Sequence, residues 1–205
     1  MEGHVRPLRA DAARNRTRVL DAARTAFAEA GLDVGVEEIA RRAGVGKGTL
    51  YRRFPTKEAL VRAIFGDILV EVQSLAAEAD AVPDAGEAFA QFLHQAALMQ
   101  ATNQGFYDVV TQRMGAAALT DEQRRAFMAA VAQPLQRAQA DGAVRADLVP
   151  EDVLIMLRML GGATRPAPDG TPMDDRWPRY LGLLLDAVRP SAATPLPAEP
   201  WRIKP

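Results

Sequence analysis

Residues 36–54 read VEEIARRAGVGKGTLYRRF, and this stretch decides the fold. Ile39, Ala40 and Ala43 fall at helical spacing and give the inward face of a short helix over Val36–Ala43. Gly44 stands where the chain must pass through a left-handed turn, which glycine does without a Cβ penalty. Val45 is expected to plug the gap beneath that turn. After Gly46 a second short helix covers Lys47–Arg53, with Leu50 and Phe54 as its apolar residues and Pro55 closing it. Two short helices joined by a glycine turn make a helix-turn-helix, and Ile39, Ala40 and Leu50 are small or branched enough to let them cross closely. The second helix then turns Lys47, Gly48, Thr49, Tyr51, Arg52 and Arg53 outward, a short basic surface that suits a major groove.

Working outward, Val19, Ala22, Ala23, Ala26 and Phe27 form one stripe of an amphipathic helix over about Asp11–Ala30, with Arg14, Arg18 and Arg24 off the stripe and Gly31 ending it. Downstream, Thr56 stands at an N-cap, and Leu60, Val61, Ile64, Ile68 and Leu69 carry a linking helix to about Ala79. Beyond the turn Val82-Pro83-Asp84, helices are expected at about 85–101, 103–114, 121–140, 150–162 and 175–188, with a kink at Pro134. Strand-like alternation is missing. The fold class is therefore all-α: an N-terminal three-helix helix-turn-helix domain with its arm (1–57), joined by the linking helix to a C-terminal helical domain (58–190), then a tail (191–205). The loop RPAPDGTPMDD from Arg165 and the tail SAATPLPAEPWRIKP are too rich in Pro to form regular elements, and Trp201 would anchor the tail if it packs at all.

Composition excludes several classes. The 205 residues are 48% hydrophobic and 25% charged, ordinary for a globular protein. Cysteine is absent, which removes disulfides, thiolate metal sites and a cysteine nucleophile. The two histidines, His4 and His94, have no carboxylate cluster at ligand spacing, so neither metal nor cofactor is expected. There is no phosphate loop, nucleophile elbow or paired carboxylate in an apolar context, so no catalytic residue is assigned and an enzyme is not expected. No apolar run approaches the ~20 residues of a membrane span, and no signal-peptide core precedes the first helix; a cytoplasmic location is expected. Net charge is −1, yet residues 1–55 hold eleven Arg or Lys against seven acids, leaving −5 for the remainder. That asymmetry is what a polyanion-binding head on an acidic body would show.

From about Arg14 to Leu60, and most closely over IARRAGVGKGTLYRRFPTKEAL, the chain resembles the DNA-binding domain of the TetR family of bacterial transcriptional regulators, through the pattern AGV-KGTLY--F--KE-L. The endings PEDVLIMLRMLGG and RWPRYLGLLLDAVRP are similar to the last two helices of that family, which form a dimer's four-helix bundle. The resemblance implies that Lys47, Gly48 and Thr49 approach base edges, Tyr51 and Arg53 contact phosphate, Arg52 contacts phosphate or base, and Lys57 adds a phosphate contact. One departure stands out: Gly35 occupies the place where the family often has Thr or Ser, so a hydroxyl cap and its phosphate contact are lost. Arg6, Arg9 and Arg14 form either an arm that reaches DNA or one that merely solubilises.

The C-terminal domain carries soft, large apolar groups, of which Phe89, Phe92, Leu93, Met99, Phe106, Tyr107, Phe127, Met128 and Met156 are the candidate ligand contacts. Any one of them is an ordinary core residue as readily; together they suggest an adaptable cavity. His94 either orients a ligand or sits near the surface. Val153, Leu154, Leu157 and Leu160, then Tyr180, Leu181, Leu184 and Leu185, are stripes that one bundle need not cover, and pairing them across a two-fold axis would give an isologous homodimer. The resulting expectation is a ligand-responsive repressor that binds palindromic double-stranded operator DNA as a homodimer and releases it on binding a small, largely apolar effector. The alternative is a DNA-binding regulator whose C-terminal domain binds a protein partner and no small ligand.

Overall fold

The structure, a computed structural model, describes residues 5–113, 119–163, 177–192 and 194–200, the side chains of 5–10, 12, 102, 104–113, 162–163 and 192 excepted. Loop 164–176, Met114, His4, Trp201 and the side chains of Arg6, Arg9, Phe106 and Tyr107 lie outside the described residues. Among the described residues the regular structure is helical: α1 (Val5–Ala30), a 3-10 turn (Gly31–Asp33), α2 (Val36–Ala43), α3 (Lys47–Arg53), α4 (Lys57–Asp80), α5 (Ala85–Arg113), α6 (Asp121–Ala140), α7 (Pro150–Ala163), α8 (Trp177–Ala187) and a 3-10 turn (Pro190–Ala192).

The chain divides into two compact units, Met1–Asp67 with Asn103–Thr120, and Ile68–Thr102 with Asp121–Pro205. In the first, α1 buries Val19, Leu20, Ala23, Ala26 and Phe27, α2 buries Ile39, Ala40 and Ala43, and the apolar residues Leu50, Phe54, Leu60, Val61 and Ile64 complete the core. These are the stripes expected from periodicity, except that Ala22 is only half-buried and Leu20 takes its place. Thr56 caps α4 as expected, its hydroxyl accepting from the Ala59 N–H at 3.1 Å. α1 begins at Val5, six residues before the expected start, so Arg6 and Arg9 lie on a helical backbone and not on an extended arm.

In the second unit Ile68, Val72 and Ala76 of α4 share the core with Phe89, Phe92 and Leu93 of α5, Val131 and Leu135 of α6, Val153, Leu157 and Leu160 of α7, and Leu181 of α8. Two expectations are corrected. The helices expected at 85–101 and 103–114 are one helix, α5, because Thr102 and Asn103 are weak helix formers without being breakers. Of the stripes that one bundle need not cover, Val153, Leu157, Leu160 and Leu181 are already buried within this chain, Leu154, Leu184 and Leu185 are half-buried and Tyr180 is exposed, and Ile155, Met159 and Leu183 join it as exposed large apolar groups of α7 and α8. α6 continues through Pro134, which is buried inside it.

Two arginines tie turns down. Arg137 of α6 donates to the carbonyls of Ala79, Asp80, Val82 and Pro83, at 3.0, 3.3, 2.5 and 2.9 Å, and so adds a donor to acceptors at and just beyond the end of α4, of which Ala79 also accepts from the Val82 N–H at 3.1 Å. Arg145, nearly buried, chelates Asp147 through two bonds and reaches the Thr194 carbonyl at 2.6 Å, while its N–H donates to the Val188 carbonyl at 2.9 Å. The α6–α7 connection is thereby bound to the segment that follows α8.

Candidate nucleic-acid interface

The interface is built on α2 and α3. Glu37 and Glu38 lie in the first turn of α2 and Arg41 and Arg42 in its last, the order that complements the helix dipole. Gly35 caps the helix with extended backbone (φ −70°, ψ 144°) and no side-chain bond; its carbonyl accepts from the N–H groups of Glu38 and Ile39 at 3.1 and 3.3 Å. Gly44 ends it in the left-handed region at φ 64°, ψ 35°. The Val45 N–H returns to the Ala40 carbonyl at 3.0 Å, which closes the turn. Gly46 caps α3 in the same extended form, its carbonyl accepting from Thr49 and Leu50 at 2.9 and 3.1 Å.

Packing then orients α3. Leu50 is 1% exposed and Phe54 is 6%, so this seven-residue helix is pinned along one side. Lys47, Gly48, Thr49, Tyr51, Arg52 and Arg53 are all exposed, the arrangement expected from sequence. Any Cβ placed on Gly48 would meet nothing within 4 Å, so the helix surface there is open. Tyr51 is 38% exposed, which settles it as a surface group and not part of the core.

Charges on this head are sorted by internal pairing. Glu38 accepts from Arg41 at 2.7 and 2.8 Å and from Arg42 at 2.7 Å; these guanidinium hydrogen bonds hold its pKa down at about 2. Arg42 also reaches Glu29 of α1 at 2.6 Å. Arg14 pairs with Asp11 and Lys47 with Glu37. Among the described residues Arg52 and Arg53 form no ion pair; Arg52 touches the Thr49 hydroxyl at 3.4 Å. Arg52 and Arg53 therefore leave uncompensated positive charge at the C-terminal end of α3.

Lys57 is placed differently from the other six. Its ammonium donates to the Leu32 carbonyl at 2.8 Å and is half-buried, so it joins α4 to the 3-10 turn and keeps two of an ammonium's three donors for another acceptor. Sequence patterning carries no trace of that bond, because Leu32 lies 25 residues upstream.

Of the ligand candidates in the second unit, Phe89, Phe92, Leu93 and Met156 are buried and Met99, Phe127 and Met128 half-buried. A cleft of about 520 Å³ lies among Gly86, Phe89, Ala143, Val144, Leu185, Val188 and Arg189, and Phe89 alone of the seven candidates whose side chains are described lines it. His94 is half-buried against Trp177, ring centroids 4.8 Å apart. Among the described residues no group of three or more His, Asp or Glu is placed to hold a metal ion, and no helix is long and apolar enough to cross a membrane.

Comparison with known proteins agrees with this geometry. Residues 19–64 match the bacterial regulatory proteins of the tetR family, and residues 84–190 match the C-terminal domain of SbtR-like transcriptional regulators. A TetR transcription regulatory protein from Mycobacterium vanbaalenii is 36% identical, with 89% of this chain and 99% of that one covered at a TM-score of 0.62. A TetR transcriptional regulator from Streptomyces coelicolor is 30% identical over 86% of this chain and 99% of its own, TM-score 0.61. The regulator FadR from Bacillus subtilis, solved in complex with stearoyl-CoA, shares the fold at 16% identity and a TM-score of 0.66, covering 84% of this chain and 99% of that one. A search among curated protein sequences gives no match. The chain belongs to the TetR family of transcriptional regulators. It is a DNA-binding regulator and not an enzyme.

Proposed function

We propose that this regulator is a repressor: a homodimer that grips palindromic double-stranded operator DNA and lets go when a small, largely apolar effector binds its C-terminal domain. One observation carries the reading, the exposed and braced face of α3. In it Lys47, Gly48 and Thr49 meet base edges, Tyr51, Arg53 and Lys57 meet phosphate, and Arg52 meets either. Residues 1–57 form the DNA-binding domain, 58–190 the effector-binding and dimerisation domain, and 191–205 the tail.

Dimerisation uses α7 and α8. Ile155 at 36%, Met159 at 56%, Tyr180 at 43% and Leu183 at 57% exposure leave apolar area in water that a two-fold copy would cover. The effector site draws on Phe89, Phe92, Leu93, Met99, Phe106, Tyr107, Phe127, Met128 and Met156, a set rich in adaptable Met and aromatic groups. An effector that prefers one tilt of α4 shifts the population toward heads wrongly spaced for successive major grooves. A coupling of about 1–3 kcal/mol then lowers operator affinity about 5- to 150-fold.

The test is fluorescence anisotropy of the full chain. The wild type is first used to select duplexes from a random-core pool; the selected duplex is then titrated at several salt concentrations, with and without fatty acyl-CoA and lactone probes. Palindromic selected cores, a dimeric complex and release by a probe are the expected results. Indifference to every duplex at low salt refutes DNA binding, and DNA binding that no small molecule alters, with retention of a protein partner, supports the protein-binding alternative.

A further inference from the structure

Glu37 is the second residue of α2 and Lys47 the first of α3, and their side chains form an ion pair across the helix-turn-helix, each 57% exposed. The same ammonium lies 5.8 Å from the Tyr51 ring centroid. The cation assigned to base edges is therefore already engaged before DNA arrives. Glu37's other oxygen turns back over the start of α2: a Cβ at Gly35 would come within 3.3 Å of Oε2. The bond to Lys47 holds the Glu37 carboxyl below its ordinary range, helped by its own main-chain N–H. Lys47 is pushed up in turn, first by that hydrogen bond. Glu38, next in the chain, is spent on Arg41 and Arg42 and cannot substitute.

The arrangement sets a negative charge where a phosphate would approach the N-terminal end of α2. It also withholds one positive charge from any phosphate near α3. We infer that Glu37 is an affinity-setting residue of the DNA interface: its carboxylate holds Lys47 in the free protein and so sets a cost on every duplex that takes the ammonium. This rests on the reading of α3 as the recognition helix. The energetic logic is that of competition. On an unrelated duplex, breaking the pair gains only another phosphate contact in place of a carboxylate, so the pair can stay closed; the right sequence gains a directed hydrogen bond to a base and bears the full cost of opening it.

Glu37→Gln keeps size and an acceptor oxygen but removes the charge. Two duplexes are compared by anisotropy, the one selected by the wild type and one with its core shuffled, each across a salt series starting at about 50 mM. Where the freed ammonium reaches phosphate on the shuffled duplex, the slope of log affinity against log salt steepens by about one unit. The selected duplex should gain up to about fivefold, since the wild type must open the Lys47–Glu37 pair to bind it and the variant need not, and the shuffled duplex should gain no more than that. In a Lys47→Ala background the gain on both duplexes should largely vanish. No gain on the selected duplex, a larger gain on the shuffled one, or a gain that persists without Lys47 overturns the inference. Loss of affinity for the selected duplex alone would make Glu37 a direct base contact and overturns it as well. Thermal melting of each variant confirms the fold, and a wild type that binds neither duplex defeats the DNA reading itself.

Discussion

The guanidinium of Arg16 in α1 meets the carboxylate of Asp67 in α4 end-on, with Nη2 donating to Oδ1 at 2.7 Å and Nη1 to Oδ2 at 3.1 Å. Each side chain is about one-third exposed, 33% and 32%, so water screens the pair without dissolving it. The parallel bonds fix the rotation of α4 against α1 within the first unit. A double-mutant cycle of Arg16→Ala and Asp67→Ala in urea should return a coupling of about 1 kcal/mol. A coupling of zero would mean that apolar packing alone sets the contact.

Gly44→Ala and Gly48→Ala should move the melting temperature in opposite directions. At Gly44 a Cβ would meet only Arg18 Nη1 at 4.0 Å, so space is no obstacle; the cost of about 1–2 kcal/mol comes from φ +64°. At Gly48 the backbone is helical and open, and alanine should stabilise by up to about 1 kcal/mol while weakening operator binding. Unchanged operator affinity in Gly48→Ala would argue against a close approach of DNA to that backbone.

Base readers and phosphate contacts should separate in their effects. Lys47→Ala or Thr49→Ala should erase about 1–3 kcal/mol of discrimination at particular base pairs of the selected duplex. Arg53→Ala should weaken every duplex alike and reduce the salt slope by about one. Anisotropy on single-base variants of the duplex reads both quantities, and identical profiles from the three variants contradict these roles.

Glu38 gives the fold an acid-sensitive contribution. Its pKa falls from 4.5 to about 2, first through the hydrogen bond from Arg41 and then that from Arg42. A depressed carboxyl stabilises fully above its unfolded value and loses that contribution as pH falls through the folded one. The stability difference between wild type and Glu38→Gln should accordingly be constant above about pH 5, shrink below 4.5 and disappear near 2. Denaturant midpoints across that range test it; a difference that grows on acidification has the wrong sign.

Arg137 should prove one of the costlier polar residues to remove from the second unit. Its four carbonyl acceptors, from Ala79 to Pro83, would lose the guanidinium at once in Arg137→Ala, although Ala79 keeps the Val82 N–H at 3.1 Å, and the cost should be about 2–3 kcal/mol. Arg137→Lys should recover only part, because an ammonium cannot fork across them. Equal stability of the lysine variant and the wild type would show that charge alone is required.

How far the chain could be read in advance differs between its parts. The α2–α3 region was legible because its determinants are local: helical spacing at Ile39, Ala40 and Ala43, a positive-φ glycine at 44, and Leu50 with Phe54 on one side of α3. The same locality explains why Thr56 could be recognised as a cap. The length of α5 was not legible, since residues of middling helix propensity around Thr102 leave continuity to packing.

Amino-acid order by itself determined the helical class, the helix-turn-helix and the outward set from Lys47 to Arg53, because each follows from residues within one or two turns of each other. Tertiary structure alone decided that Glu37 holds Lys47, that Leu32 claims Lys57, and that α7 and α8 turn Ile155, Met159, Tyr180 and Leu183 to water while burying Val153, Leu157, Leu160 and Leu181. A stripe shows that a helix has an apolar side; which neighbour covers it, and which charges meet, depends on contacts that close long loops of chain and leave no periodic mark.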